Sequence, residues 1–226
     1  MSTETSIAKT RAAHLCEIGL AHLQAWEVEE AIEALKGAIA LDDTQADYYL
    51  HLAQAYIRVG DYESMRQALG NFMFLEPDQD LAERFQAIFS SGLDLVEQTL
   101  TTVMPEHHVP LLVVGAALQM WVDFQVACGR HPLPISDTRT DAAKWAAALD
   151  YTIRKVNIHD AGLKEIALWY ATKPSIIAEN HRRLVNTLDI MPCDYRYFRG
   201  PQNPLDKLVE AAIVLETLEE RFARIE

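Results

Sequence analysis

Residues 46–79 read ADYYLHLAQAYIRVGDYESMRQALGNFMFLEPDQ, and residues 12–45, AAHLCEIGLAHLQAWEVEEAIEALKGAIALDDTQ, overlay them at a spacing of 34 with small and apolar positions in step. In the first copy the marked positions are Leu15, Ile18, Gly19, His22, Ala31, Leu35, Ala38 and Leu41. In the second they are Tyr49, Leu52, Ala53, Tyr56, Met65, Leu69, Phe72 and Leu75, with Pro77 just beyond. Each copy holds two runs of helical period separated by a turn, Trp26 and Glu27 in the first and Gly60, Asp61 and Tyr62 in the second. Small residues at Gly19 and Ala53 mark where two helices must approach closely. A repeated helical hairpin follows, and with it an all-α fold.

This pattern resembles the tetratricopeptide repeat, whose first helix runs large, Leu, small, large and whose second runs small, large, small. The resemblance covers 12–79 and implies a protein-binding module. It also implies that a concave groove is lined by the second, fifth, ninth and twelfth residues of each copy. Here those are Ala13, Cys16, Leu20 and Leu23, then Asp47, Leu50, Gln54 and Ile57. A groove that grips an acidic C-terminus needs Lys, Arg or Asn donors, because a carboxylate is held by charge-assisted hydrogen bonds. The eight residues include none, so the expected ligand is the apolar face of a helix.

A third apolar-periodic stretch, Leu81, Phe85, Ile88, Phe89, Leu93, Val96 and Leu100, is suited to cover the open end of the second copy, as a solenoid requires. Pro105 and Pro110 then break the pattern, with Glu106, His107 and His108 between them. The expected organisation is a repeat domain with its capping helix over 1–104, a helical domain over 105–190, and a connector with a C-terminal helix over 191–226. In the second domain Leu111 begins a near-continuous apolar helix that Gly129, Pro132 and Pro134 end. Asp141 is placed to cap the next helix, whose buried stripe is Trp145, Ala148, Leu149, Thr152, Ile153 and Val156.

Residues 163–184 have the spacing of a helix-turn-helix. Ile166 and Ala167 fall at buried positions of the first helix, Ala171 and Thr172 at the turn, and Pro174 and Ser175 open a second helix anchored by Ile177. Ala171 stands where Gly is usual, Thr172 where an apolar residue is usual, and Asn180 where an aliphatic one is usual. Trp145, Ala146, Ala147 and Ala148 leading into this segment resemble uncharacterised bacterial helical domains in which such a helix precedes a helix-turn-helix. That resemblance implies a fold and no activity. If the segment meets DNA, the candidate contacts are Lys173, Ser175, Glu179, Arg182 and Arg183.

The charge balance weighs against that. The chain has 20 basic and 33 acidic side chains, net −13. Residues 154–199 carry eight basic residues against five acidic ones, so the segment is +3 and the remainder −16. Only a local cationic face would attract a phosphate backbone, within a Debye length of about 8 Å.

The connector is rich in Pro and aromatics, with Tyr195, Tyr197 and Phe198, and Asn203 with Pro204 makes a cap and first-turn pair. Leu205, Leu208, Ala212, Leu215, Phe222 and Ile225 then form an apolar stripe beside Glu210, Glu216, Glu219 and Glu220. This amphipathic helix is suited to fill the repeat groove, pair with a second copy, or dock on the second domain. No glycine-rich phosphate loop, nucleophile elbow or paired His ligands on one helical face occurs, so no catalysis, metal or cofactor is expected. Cys16, Cys128 and Cys193 are scattered and read as small hydrophobes. The polar opening residues and the lack of a membrane-length apolar run point to a cytoplasmic protein. The expected function is a non-enzymatic protein-binding adaptor. The alternatives are a DNA-binding regulator whose repeats sense a partner or dimerise, and a chaperone that binds a protein client.

Overall fold

The computed structural model describes residues 2–89, 92–131, 138–159 and 162–223. Pro132, Pro134 and Ile225, and the side chains of Glu216, Glu219, Glu220 and Phe222, lie outside what is described. The described residues form eleven α-helices and no strand. They divide by packing into two units, Met1–Leu93 with Val122–Pro134, and Asp94–Trp121 with Ile135–Glu226.

In unit 1 the two copies become helical hairpins, α1 (Ser2–Gln24) with α2 (Val28–Leu41) and α3 (Ala46–Val59) with α4 (Tyr62–Leu75). The small residues do what the spacing predicts. A Cβ on Gly19 would stand 2.8 Å from Leu35 Cγ, and the matching Ala53 is fully buried. Replacing Ala53 with Leu should overpack this crossing and cost roughly 1–3 kcal/mol, read as a lowered midpoint of chemical unfolding; an unchanged midpoint would refute the register.

The two hairpin turns share a left-handed residue and differ in chemistry. Gly60 ends α3 at φ 73, and Trp26, one repeat earlier, adopts φ 66. For a tryptophan that conformation is costly; its ring sits under the Arg58 guanidinium, 4.9 Å from the ring centroid. Asp61 caps α4 by accepting from the Ser64 N–H, whereas Glu27 makes no cap bond and instead meets His22 Nδ1 at 2.5 Å.

The third periodic stretch is two helices. α5 (Gln79–Ile88) covers the second hairpin, with Leu81 and Phe85 buried and Phe85 edge-on to Phe72 at 5.0 Å. α6 (Leu95–Glu106) belongs to unit 2 and opens on a capping box formed by Asp94 and Glu97. Leu93 and Phe89, expected on a buried stripe, are exposed. The change of partner follows from the box, because two reciprocal side-chain bonds restart the helix at Asp94.

α7 (Leu111–Ala127) spans the division, which falls between Trp121 and Val122. Its apolar run is buried from Val113 to Val126 apart from a few half-buried positions and solvent-facing Gly115, but Leu111 and Leu112 are 78 % and 71 % exposed. In unit 2, α6, α9 (Leu163–Trp169) and α10 (Pro174–Leu188) pack on α8 (Arg139–Val156). The expected stripe of α8 is buried throughout. So are Asp150 and Arg154, one turn apart, which makes α8 a central helix rather than an amphipathic one. Thr138, not Asp141, caps α8: its hydroxyl accepts from the Asp141 N–H at 3.2 Å. Asp141 instead sits in the first turn, where it takes bonds from Thr138 and Lys144.

The connector folds back on α8. Asn157, at the C-terminal cap of α8, donates to Tyr197 O and accepts from the Arg199 N–H, and Tyr197 is fully buried. α11 (Pro204–Ala223) begins as expected, Asn203 accepting from the Leu205 N–H at 3.0 Å. Leu208, Val209, Ile213 and Leu215 are all at least half exposed.

Candidate protein-binding groove

Asp47, Leu50 and Gln54 are three and four residues apart, so α3 presents them on one face. That face meets residues 122–131 of the same unit. Gln54 Nε2 donates to the carbonyls of Val126 and Ala127, each at 3.4 Å. Arg84, from α5, donates to the carbonyls of Gly129 and, at 3.1 Å, His131. Arg130 Nε donates to Asp47 at 2.6 Å, and its Nη2 to Glu76. The Arg130 guanidinium also lies 5.7 Å from the centre of the Phe72 ring. Tyr62 OH donates to Asp123 at 3.3 Å. Gly129, at φ +57, leaves no room for a side chain, since a Cβ there would stand 2.9 Å from Gln54 Nε2.

These contacts answer a problem every helix has. The last four carbonyls lack partners within the helix and carry its partial negative charge. Gln54 and Arg84 supply donors there, one of them cationic, so the second hairpin and α5 cap the end of α7 from outside.

The eight groove positions divide accordingly. Cys16, Leu23, Leu50 and Ile57 are buried in one apolar cluster that includes Val126, Leu20 and Gln54 are half-buried, and Ala13 and Asp47 are exposed. Burial, with Asp47 and Glu17 nearby, pushes the Cys16 thiol up to about 11, so it stays protonated at neutral pH and packs as a small hydrophobe. The place offered in sequence to the C-terminal helix is taken by 122–131. The expectation of a groove without cationic donors also changes. Carrying the 34-residue spacing on to Asp80 puts Leu81, Arg84 and Ile88 at the second, fifth and ninth positions of a third copy. Arg84 is therefore a groove residue, legible in sequence once the frame is extended past the second copy.

In unit 2, α9 and α10 flank a turn at Tyr170–Lys173 in which Ala171 takes the left-handed conformation, φ 47, at the place where Gly is usual. Ile166, Ala167 and Ile177 are buried as expected, and Asn180 is buried too. Lys173, Ser175, Glu179, Arg182 and Arg183 are exposed on α10 and its cap. They do not form a uniform cationic face. Arg183 is drawn onto Trp145, 5.6 Å from the ring centre, and Glu179 lies among the others.

Among the described residues no group of three or more His, Cys, Asp or Glu is arranged to hold a metal, and no helix is long and apolar enough to cross a membrane. No family model matches the chain. No solved structure matches it. It is 24 % identical over 113 residues to Superkiller protein 3 of Saccharomyces cerevisiae, a tetratricopeptide-repeat protein. The match covers 47 % of this chain, which spans only 8 % of that relative's length. This weak similarity and the all-helical fold agree on a helical protein of tetratricopeptide-like type, and they point to protein partners.

Proposed function

We propose that the chain is a non-enzymatic, cytoplasmic protein-interaction adaptor whose groove, formed by α3, α4 and α5, recognises the C-terminal end of a helix followed by an arginine. The observation that carries this is the way 122–131 is held. Gln54 and Arg84 bond main-chain carbonyls, which any helix end offers. Arg130 adds specificity by reaching two carboxylates, Asp47 and Glu76. A partner helix with the same ending would compete with the chain's own segment, so binding proceeds by displacement. The regulator and client-chaperone readings gain no comparable support, given the mixed charge on α10.

Affinity capture of the full chain, with and without nuclease and followed by mass spectrometry, tests this. A partner set should survive nuclease, shrink in the Gln54→Ala, Arg84→Ala double variant and grow when Arg130→Glu weakens the internal segment. Loss of partners on nuclease treatment would transfer the function to nucleic acid. A set indifferent to all three substitutions would remove the groove as the working surface.

A further inference from the structure

Unit 2 contains a cavity of about 480 Å³ between the start of α8 and the α9–α10 turn. From α8 it is lined by Arg139, Thr140, Ala143 and Lys144, and from the other side by Tyr170, Ala171, Thr172, Lys173 and Ile176. Three features of this lining point the same way. Arg139, Lys144 and Lys173 are cations, and no acidic residue lines the cavity. Lys144 is shared, donating to Asp141 at 2.6 Å from behind. The hydroxyl of Thr172 is buried and finds no hydrogen-bond partner among the described residues. A buried hydroxyl left without a partner costs about 1–3 kcal/mol, so its presence in a cavity wall is evidence of a missing acceptor.

The third feature is the backbone. Arg139 and Thr140 are the first two residues of α8, and Lys173 is the N-cap of α10. Two helix N-termini, on helices of 18 and 15 residues, therefore border one cavity, each with its partial positive charge. The N-cap of α10 makes no side-chain cap bond, because lysine has no acceptor to offer the first turn. Ala143, Tyr170 and Ile176 give the remaining wall an apolar and aromatic character.

We infer that this cavity binds the terminal phosphoryl group of a small phosphate monoester, with an apolar or aromatic body against Ala143, Tyr170 and Ile176. A terminal phosphoryl carries nearly two negative charges and three acceptor oxygens near neutral pH, enough to engage three cations and the Thr172 hydroxyl together. A single carboxylate carries half that charge. The volume lies in the range of small-molecule sites rather than a surface track for a nucleic-acid backbone. Such a track would also need Arg183, which is held on Trp145.

The test uses the full-length protein labelled with nitrogen-15, with phenyl phosphate and inorganic phosphate as probes against sodium chloride at matched ionic strength. Saturable amide shifts should appear at Thr140, Thr172 and Lys173 with phenyl phosphate, more weakly with inorganic phosphate, and not with chloride. Lys173→Met and Arg139→Met should each weaken binding about tenfold or more, and Thr172→Val about fivefold, with Thr172→Ser restoring it. Spectra unchanged outside the cavity show that the variants fold. Absence of saturable shifts at millimolar probe, or binding indifferent to all three substitutions, would overturn the inference. So would binding of a short DNA duplex that phenyl phosphate does not displace, which would give the same cations to a nucleic-acid backbone.

Discussion

Replacing Arg154 with Met should destabilise the protein at neutral pH by about 3–5 kcal/mol, the range for removing one partner of a buried ion pair. Asp150 is fully buried on α8, and Arg154 Nε donates to it at 2.6 Å from one turn along. Tyr170 OH donates to the other carboxylate oxygen at 3.0 Å. The guanidinium lies over Trp169, 4.9 Å from its centre, and His107 stacks on that ring at 3.9 Å. Met keeps much of the packing of the arginine stem while removing the charge, so the loss reads mainly the carboxylate left behind. Burial holds the Asp150 carboxyl above its ordinary value of 3.8; the charge and hydrogen bond of Arg154, then the bond from Tyr170, oppose that rise.

The folded state therefore holds the Asp150 proton more tightly than the unfolded chain does. The resulting stabilisation is complete below pH 3.8 and is lost as pH rises through the folded value. Without Arg154 that value climbs further, and the variant should lose stability more steeply than the parent as pH rises from about 4. Adding Asp150→Asn should recover much of the loss and flatten the difference. Urea unfolding of the four proteins at several pH values measures both. A loss under about 1 kcal/mol with no pH dependence would mean that the pair is solvated.

That pair shows where the sequence stops being legible. The apolar stripe of α8 could be read from its period, but Asp150 and Arg154 are charged and charged residues are ordinarily outside. Only the packing of α6, α9 and α10 around one helix puts them inside. The hairpins were legible because close approach permits only small residues at Gly19 and Ala53, and the left-handed turn at Gly60 announces itself. Trp26 takes the same conformation against its preference, since the repeat geometry overrides local cost. Tyr197 illustrates a further limit. An aromatic in a Pro-rich connector carries no periodic signal, yet it is fully buried at the end of α8. The groove was legible in outline, through Asp47, Leu50 and Gln54, and its occupant was not. Residues 122–131 read as the end of a buried helix, and nothing in their period says against which surface.

Reversing Arg130 to Glu should release that occupant. Arg130 joins Asp47 and Glu76, whose side chains are 54 % and 1 % exposed, so the variant leaves Glu76 buried without its cation and adds a third carboxylate beside it. Because the Arg130 side chain is itself 43 % exposed, solvent screens part of the effect, and about 2–4 kcal/mol is expected, below the fully buried range. The loss should fall on the contact between 122–131 and the repeats, where Gln54 and Arg84 cannot alone hold a helix end against like charges. Hydrogen exchange at the amides of 122–131 should quicken, while α1 and α2, which take no part in these bonds, keep their protection. The groove reading adds a sharper expectation. A synthetic peptide of residues 122–131 should bind the Arg130→Glu protein and compete poorly for the parent, whose own segment is tethered at high effective concentration. The same peptide carrying glutamate at the arginine should bind neither. Equal exchange in both proteins would show that the arginine does not hold the segment, and a released groove that ignores the peptide would show that its contacts with 122–131 are internal packing rather than recognition.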